Sequence, residues 1–293
     1  MPFKAADDYA HTVMTWASQP LPPEVVATLD VPYGDHPVQR YNVFAPRNAG
    51  KTHNAPALVF WHGGGWTNGY RDYCTFMAPH IVRMGMVLVA PSYRLVWQER
   101  MPAAPNDCMA ALAHFAKHAA HYGAAADQLY LAGHSAGGHL AALTALRGTR
   151  SQPPASALPT NAIKGCLPIS GIMDLHHPSP PEGSLEERVY SMVLAERDDD
   201  AVLSPICWAA GNHVPFALSC GEHDSPRVLR SNQRLYALLR LQDAPTSLHI
   251  EPQLDHFATN TCLADPAHSW YARLAAMVGP PSSLISAAPL NSP

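Results

Sequence analysis

Gln128-Leu129-Tyr130-Leu131-Ala132-Gly133-His134-Ser135-Ala136-Gly137-Gly138 is the stretch on which the reading of the fold turns. Its first five residues read as a short buried strand, and the Ala/Leu-rich run from Ala136 to Leu146 reads as a helix. Between them, Gly133-His134-Ser135-Ala136-Gly137 satisfies GxSxG where strand gives way to helix. A serine at the apex of so sharp a turn needs small neighbours two residues to either side, and the turn lifts its hydroxyl above the sheet. The helix behind it aims free N–H groups and a positive dipole end at that hydroxyl.

The same strand-then-helix unit recurs on both sides. Ala57–Trp61, Met86–Ala90, Phe216–Cys220 and Ser247–Ile250 read as further strands. Gly165–Ile169 reads as a weaker one, demoted by Pro168. Residues 105–122 carry Met109, Leu112 and Phe115 at helical spacing, and a second helix is expected over about residues 226–241. Continuous apolar runs alternating with helices predict an α/β protein with a mostly parallel sheet flanked by helices. One domain is expected over 1–293. It has a cap or lid insertion at 174–213, before the strand ending at Cys220, and a flexible tail at 279–293. Residues 150–160, rich in Pro and Ser, read as a surface loop.

Composition narrows the function classes. Of 293 residues, 47% are hydrophobic and only 14% charged, below the usual ~25%, so most of the chain must fold. The net charge is −4, with 19 Lys and Arg and no basic run, which argues against nucleic acid as a partner. No apolar run is long enough to span a membrane, and the N-terminus has no secretory pattern. Six scattered cysteines without a CxxC read as buried thiols, so a cytoplasmic location is expected. No phosphate-binding glycine pattern is present, and no nucleotide or other cofactor is expected.

His62-Gly63-Gly64-Gly65-Trp66 follows the first strong strand. Three glycines let backbone N–H groups approach an oxyanion closely. A serine hydroxyl is a weak nucleophile at neutral pH and needs a base, which needs an orienting carboxylate. Gly221-Glu222-His223-Asp224-Ser225-Pro226 and Leu254-Asp255-His256-Phe257 each follow a strand, in the order serine, acid, histidine. Asp224 and His256 are the expected acid and base, with Glu222, His223 and Asp255 as competitors.

These motifs, spread over residues 57–260, resemble the α/β-hydrolase superfamily. HGGG and GxSAGG are similar to those of the hormone-sensitive-lipase-like carboxylesterases. His62–Trp66 also satisfies the HGGxW motif of the kynurenine formamidases (arylformamidases), and His223-Asp224-Ser225-Pro226 and Asp255-His256-Phe257 are similar to that group's acid and base loops. The resemblance implies Ser135 as nucleophile, Asp224 as acid and His256 as base. It also implies an oxyanion hole drawn from the N–H groups of Gly64, Gly65 and Ala136, with Gly63 shaping the turn.

The expected activity is hydrolysis of a small acyl amide or ester, best represented by an N-formylkynurenine-type arylformamide. A carboxylesterase of short acyl esters is the alternative, and a non-catalytic small-ligand binding protein on the same fold is the rival from another class. Trp66 and Tyr70, which follow the glycine loop, are expected to touch substrate, and Trp61 to face the core. His114, His118 and His121 share a helix face at a spacing that could ligate zinc, but no carboxylate or cysteine joins them. They read as a solvated face and no metal is expected. His134 reads as structural.

Overall fold

Strands β1 (Val25–Pro32), β2 (Arg40–Pro46), β3 (Ala55–Trp61), β4 (Val87–Pro91), β5 (Ala124–His134), β6 (Ile163–Ile169), β7 (Phe216–Gly221) and β8 (Thr246–Glu251) form one sheet. The computed structural model describes residues 3–49, 54–148 and 158–279. The expected loop at 150–160 therefore lies outside the described residues up to 157, and the expected tail lies outside them from 280 onward. The strand order is β1-β2-β4-β3-β5-β6-β7-β8. β1 and β2 run antiparallel to their neighbours, while β4, β3, β5, β6, β7 and β8 are parallel.

The helices are α1 (Phe3–Ala17), α2 (Ala78–Arg83), α3 (Ala103–His118), α4 (Ala136–Gly148), α5 (Leu185–Arg188), α6 (Pro226–Leu239), α7 (Ala258–Thr261) and α8 (Ser269–Val278). Alternate strand residues feed two cores, as the two-residue period of a strand requires. Ala57, Val59, Trp61, Leu129, Leu131, Phe216 and Leu218 pack with α3, α4 and α6. Leu58, Phe60, Leu88, Tyr130, Ala132 and Leu167 pack on the other face with α1, α2 and α8.

One part of the fold drew no reading from the sequence, and one reading is corrected here. The N-terminal α1, β1 and β2 carry no strong signal: β1 lies at the sheet edge with most of its residues exposed, and β2 has polar Asn42 among its buried residues. Neither offers a clean apolar run or alternation. Secondly, β6 is a full interior strand despite Pro168. Cys166 N–H donates to the Pro215 carbonyl (2.9 Å) and Ser170 N–H to the Ser219 carbonyl (2.8 Å). Residue 168, midway between them, is the position whose N–H would also face β7. The proline thus costs one rung of one ladder, while burial of the strand retains the rest.

The insertion between β6 and β7 holds α5 and several tight helical turns. It is packed down, with Leu175, Val189, Val193, Leu194 and Leu203 joining the α3/α4/α6 core. Among the described residues, no helix is long and apolar enough to cross a membrane.

Candidate active site

Every parallel strand points its C-terminal end to the same edge, and the candidate residues follow four of those ends. Ser135 comes directly after β5, with φ of 54°, a left-handed conformation that costs a non-glycine residue energy. The flanking glycines make that turn possible. A Cβ on Gly133 would lie 2.4 Å from the Gly137 carbonyl oxygen, and one on Gly137 would lie 2.0 Å from that of Trp61. The elbow is therefore a backbone-on-backbone contact that no larger residue could make.

Asp224 lies three residues past β7, and His256 five past β8. The structure brings these two and Ser135 into one hydrogen-bonded line. His256 Nδ1 donates to Asp224 Oδ1 at 2.6 Å, and His256 Nε2 is 2.8 Å from Ser135 Oγ. With the Nδ1 proton directed at a carboxylate, neutral His256 presents a lone pair at Nε2 to the serine hydroxyl. Asp224 is 5% exposed. Burial raises its pKa, but the bond and charge of His256, the Ser170 hydroxyl and the Gly221 N–H outweigh burial and hold the carboxyl below its ordinary value.

The competitors are engaged elsewhere. Glu222 accepts from Gln253 N–H (2.9 Å), and His223 is exposed. Asp255 Oδ1 accepts from the N–H groups of Phe257 (3.0 Å) and Ala258 (2.8 Å), closing the turn into α7. Burial pushes the Cys220 thiol up to about 12, with Asp224 and Glu251 adding to the shift, so it offers no thiolate at neutral pH.

Residues 63–66 form a cradle beside Ser135. Gly64 has φ of 123°, and a Cβ there would strike the Asn68 carbonyl oxygen at 2.1 Å. Gly65 and Trp66 are also left-handed, at 60° and 61°. Among the described residues, none accepts a hydrogen bond from the backbone N–H of Gly64, Gly65 or Ala136. For Ala136 this follows from its being the first residue of α4. His62 anchors the loop, its ring stacked on Tyr93 with centroids 4.4 Å apart and its Nδ1 donating to the Gly63 carbonyl (2.7 Å). Burial lowers His62 to about 4, so it is neutral near pH 7.

The two expected substrate contacts part company. Tyr70 is 40% exposed, whereas Trp66 is only 1% exposed and packs edge-on against His139, ring centroids 5.2 Å apart. The left-handed turn at Trp66 sends its side chain inward, so the expectation that its indole lines an open pocket is corrected. Trp61 is fully buried. Of the three histidines expected on a solvated face, His121 is exposed while His114 and His118 are half-buried. His114 Nδ1 bonds the Tyr41 hydroxyl (2.8 Å), and its ring lies 4.3 Å from that of His118. Among the described residues, no group of three or more His, Cys, Asp or Glu could hold a metal.

Two residues escaped the sequence reading. Ser170, directly after β6 with φ of 50°, donates its hydroxyl to Asp224 Oδ2 at 2.6 Å. Thr259, in α7, places its hydroxyl 2.9 Å from Ser170 Oγ and 2.8 Å from the His256 carbonyl oxygen, its single proton serving one of the two at a time. Neither lies in a recognisable motif, and only the meeting of three strand ends makes them neighbours of the carboxylate.

A mostly parallel sheet between two helical layers, with a serine elbow and acid and histidine loops at one edge, defines an α/β-hydrolase. The chain belongs to the BD-FAE family, which it matches over residues 42–239. It is 27% identical to a kynurenine formamidase of Salmo salar over 86% of this chain and 82% of that one. It is also 30% identical to carboxylesterase NlhH of Mycobacterium tuberculosis, over 73% of this chain and 70% of that one. Esterase B of Lactobacillus rhamnosis, solved with a tributyrin phosphonate inhibitor, superimposes with a TM-score of 0.77 at 19% identity over 94% of this chain and 92% of that one. At that identity the last match speaks to the fold alone. The named relatives are hydrolases, and this chain is one.

Proposed function

We propose that this enzyme is a serine hydrolase that cleaves a small acyl amide or ester through an acyl-enzyme, with an N-formylkynurenine-type arylformamide as the preferred substrate. The observation that carries the mechanism is the unbroken line Ser135 Oγ–His256–Asp224 beside three backbone N–H groups that have no acceptor among the described residues. Ser135 Oγ attacks the carbonyl carbon as His256 Nε2 takes its proton. The carbonyl electron pair moves onto oxygen, which the N–H groups of Gly64, Gly65 and Ala136 stabilise as it becomes an oxyanion. Asp224 holds the imidazole in one tautomer and stabilises the imidazolium. Collapse of the tetrahedral adduct expels the amine or alcohol, which takes the proton from His256. Water, deprotonated by His256, then releases the acid and regenerates Ser135.

The formamide preference rests on the formamidase relatives, which match over most of both chains. A carboxylesterase of short acyl esters is the second reading, favoured by the higher identity to NlhH over a shorter span. On either reading, residues 174–213 act as a cap bounding the substrate site. A paired assay separates the two: kcat/KM on N-formylkynurenine against kcat/KM on a p-nitrophenyl short-acyl ester. Strong preference for the formamide is expected. Ester turnover without deformylation would overturn the formamidase reading in favour of the esterase.

A further inference from the structure

Trp97 is 68% exposed, the most exposed tryptophan among the large apolar side chains, with Met192 at 45% and Tyr70 at 40%. Single exposed apolar residues are ordinary on protein surfaces. What distinguishes Trp97 is how firmly it is held. Its Nε1–H donates to the Thr67 carbonyl (3.0 Å), and the preceding Val96 N–H donates to the Trp66 carbonyl (2.9 Å). Both acceptors follow directly on Gly64-Gly65. Trp97 also sits within a turn closed by Gln98 N–H to the Leu95 carbonyl (2.8 Å) and Leu95 N–H to Gln98 Oε1 (2.9 Å).

The same short segment then reaches the insertion. Arg100 Nη2 donates to the Ser191 carbonyl (2.9 Å), and Met101 N–H to the Val193 carbonyl (2.9 Å). Residues 95–101 thus bridge from the glycine loop to the stretch that carries exposed Met192. A substrate whose carbonyl oxygen lies against the Gly64 and Gly65 N–H groups extends its remaining atoms toward this bridge or away from it. The only polar atom of the indole is already satisfied by the loop, so the ring is pre-positioned with apolar surface free. Stacking a planar ring on it costs little further side-chain entropy.

We propose that Trp97 is a specificity-determining residue: a fixed platform that stacks the aromatic leaving group of a substrate attacked by Ser135. The proposal rests on the reading of Ser135 as nucleophile and names the substrate class as aryl amides and aryl esters. Trp97 takes the part that the sequence suggests for Trp66.

The test compares phenyl acetate with trifluoroethyl acetate, activated esters of one acyl group with an aromatic and an aliphatic leaving group. In Trp97→Ala the ratio of kcat/KM for the phenyl to the trifluoroethyl ester is expected to fall about tenfold, chiefly through a higher KM for the phenyl ester. Trp97→Phe keeps a ring and is expected to retain most of the ratio. A wild-type ratio in Trp97→Ala, or an equal loss in both variants, would overturn the proposal. Failure of the Ser135 reading looks different: Ser135→Ala would hydrolyse both esters as fast as the wild type, and the proposal would fall with it.

Discussion

His134 Nε2 donates to the backbone carbonyl of His256 at 2.7 Å, tying the elbow to the loop that carries the candidate base. Burial, with the charge of His256 adding to it, lowers His134 to about 3, so near neutral pH it is a fixed neutral donor. The structural reading of this histidine made from the sequence acquires a specific content: it sets the height of the His256 loop above Ser135. His134→Ala leaves that carbonyl with Thr259 alone and is expected to lower kcat/KM roughly tenfold to a hundredfold, since small misplacements of a reacting group are costly. Steady-state kinetics alongside a melting curve checks this. Wild-type kinetics would show that the Thr259 bond suffices.

Ser135 combines its place in the site with backbone strain, so its two smallest replacements should differ in stability. Both Ser135→Ala and Ser135→Gly are expected to reduce turnover by roughly four to six orders of magnitude. At φ of 54°, glycine relieves strain that alanine keeps. Ser135→Gly should therefore unfold at higher denaturant than Ser135→Ala, by roughly 1 kcal/mol. Equal midpoints would mean that the turn is relaxed in solution.

The two neighbouring aspartates should rank clearly. Asp224→Asn removes the negative charge and, with its amide oxygen held by Ser170 and the Gly221 N–H, turns an NH2 donor toward His256 Nδ1, which favours the wrong tautomer; a cost on the order of 10⁴ in kcat is expected. Asp255→Asn retains a carbonyl oxygen to accept from Phe257 and Ala258 and should cost little. Between these extremes lies Ser170→Gly, which suits the left-handed backbone but deletes the hydroxyl on Asp224. About a tenfold loss in kcat/KM is expected, the scale of one hydrogen bond to a charged group. The reverse ranking of the two aspartates would reassign the acid.

Acid stability follows from the buried histidines. His62, His134 and His139 are lowered from 6.5 to about 4, 3 and 4 respectively, in each case first by burial. Between those values and 6.5 the unfolded chain binds protons that the folded chain does not, so stability falls as pH drops through that window. By pH 5 each histidine removes about 2 kcal/mol relative to neutral pH. Denaturant melts at pH 7 and pH 5 are expected to show a loss of several kcal/mol, and His139→Gln should reduce it. Asp224, held below its ordinary value, adds a further loss only at lower pH. A flat profile between pH 7 and pH 5 would contradict the burial of these rings.

The parts of the molecule legible in the sequence are those where chemistry restricts residue type locally. The elbow needs glycine at 133 and 137 because its backbones touch, and the glycine loop needs glycine at 64 because a Cβ has no room. The order of serine, acid and histidine follows from the strand-by-strand layout of the fold. Ser170 and Thr259 were illegible because serine and threonine are common and only tertiary folding carries them to Asp224. Trp66 was misjudged, and Trp97 drew no reading at all, for a related reason: sequence adjacency to a loop does not tell which way a side chain turns. A left-handed residue at 66 sends one indole inward, while a turn 30 residues on delivers the other to Thr67. Strand β6 and the N-terminal strands show the converse, since pairing and burial outweigh weak local propensity.

The most direct test of the central claim is mass-spectrometric mapping of the native enzyme after reaction with a fluorophosphonate probe. The account predicts one covalent adduct on Ser135, formed with loss of fluoride, abolished in Ser135→Ala and strongly slowed in Asp224→Asn. No adduct on native protein, or one that persists in Ser135→Ala, would contradict it.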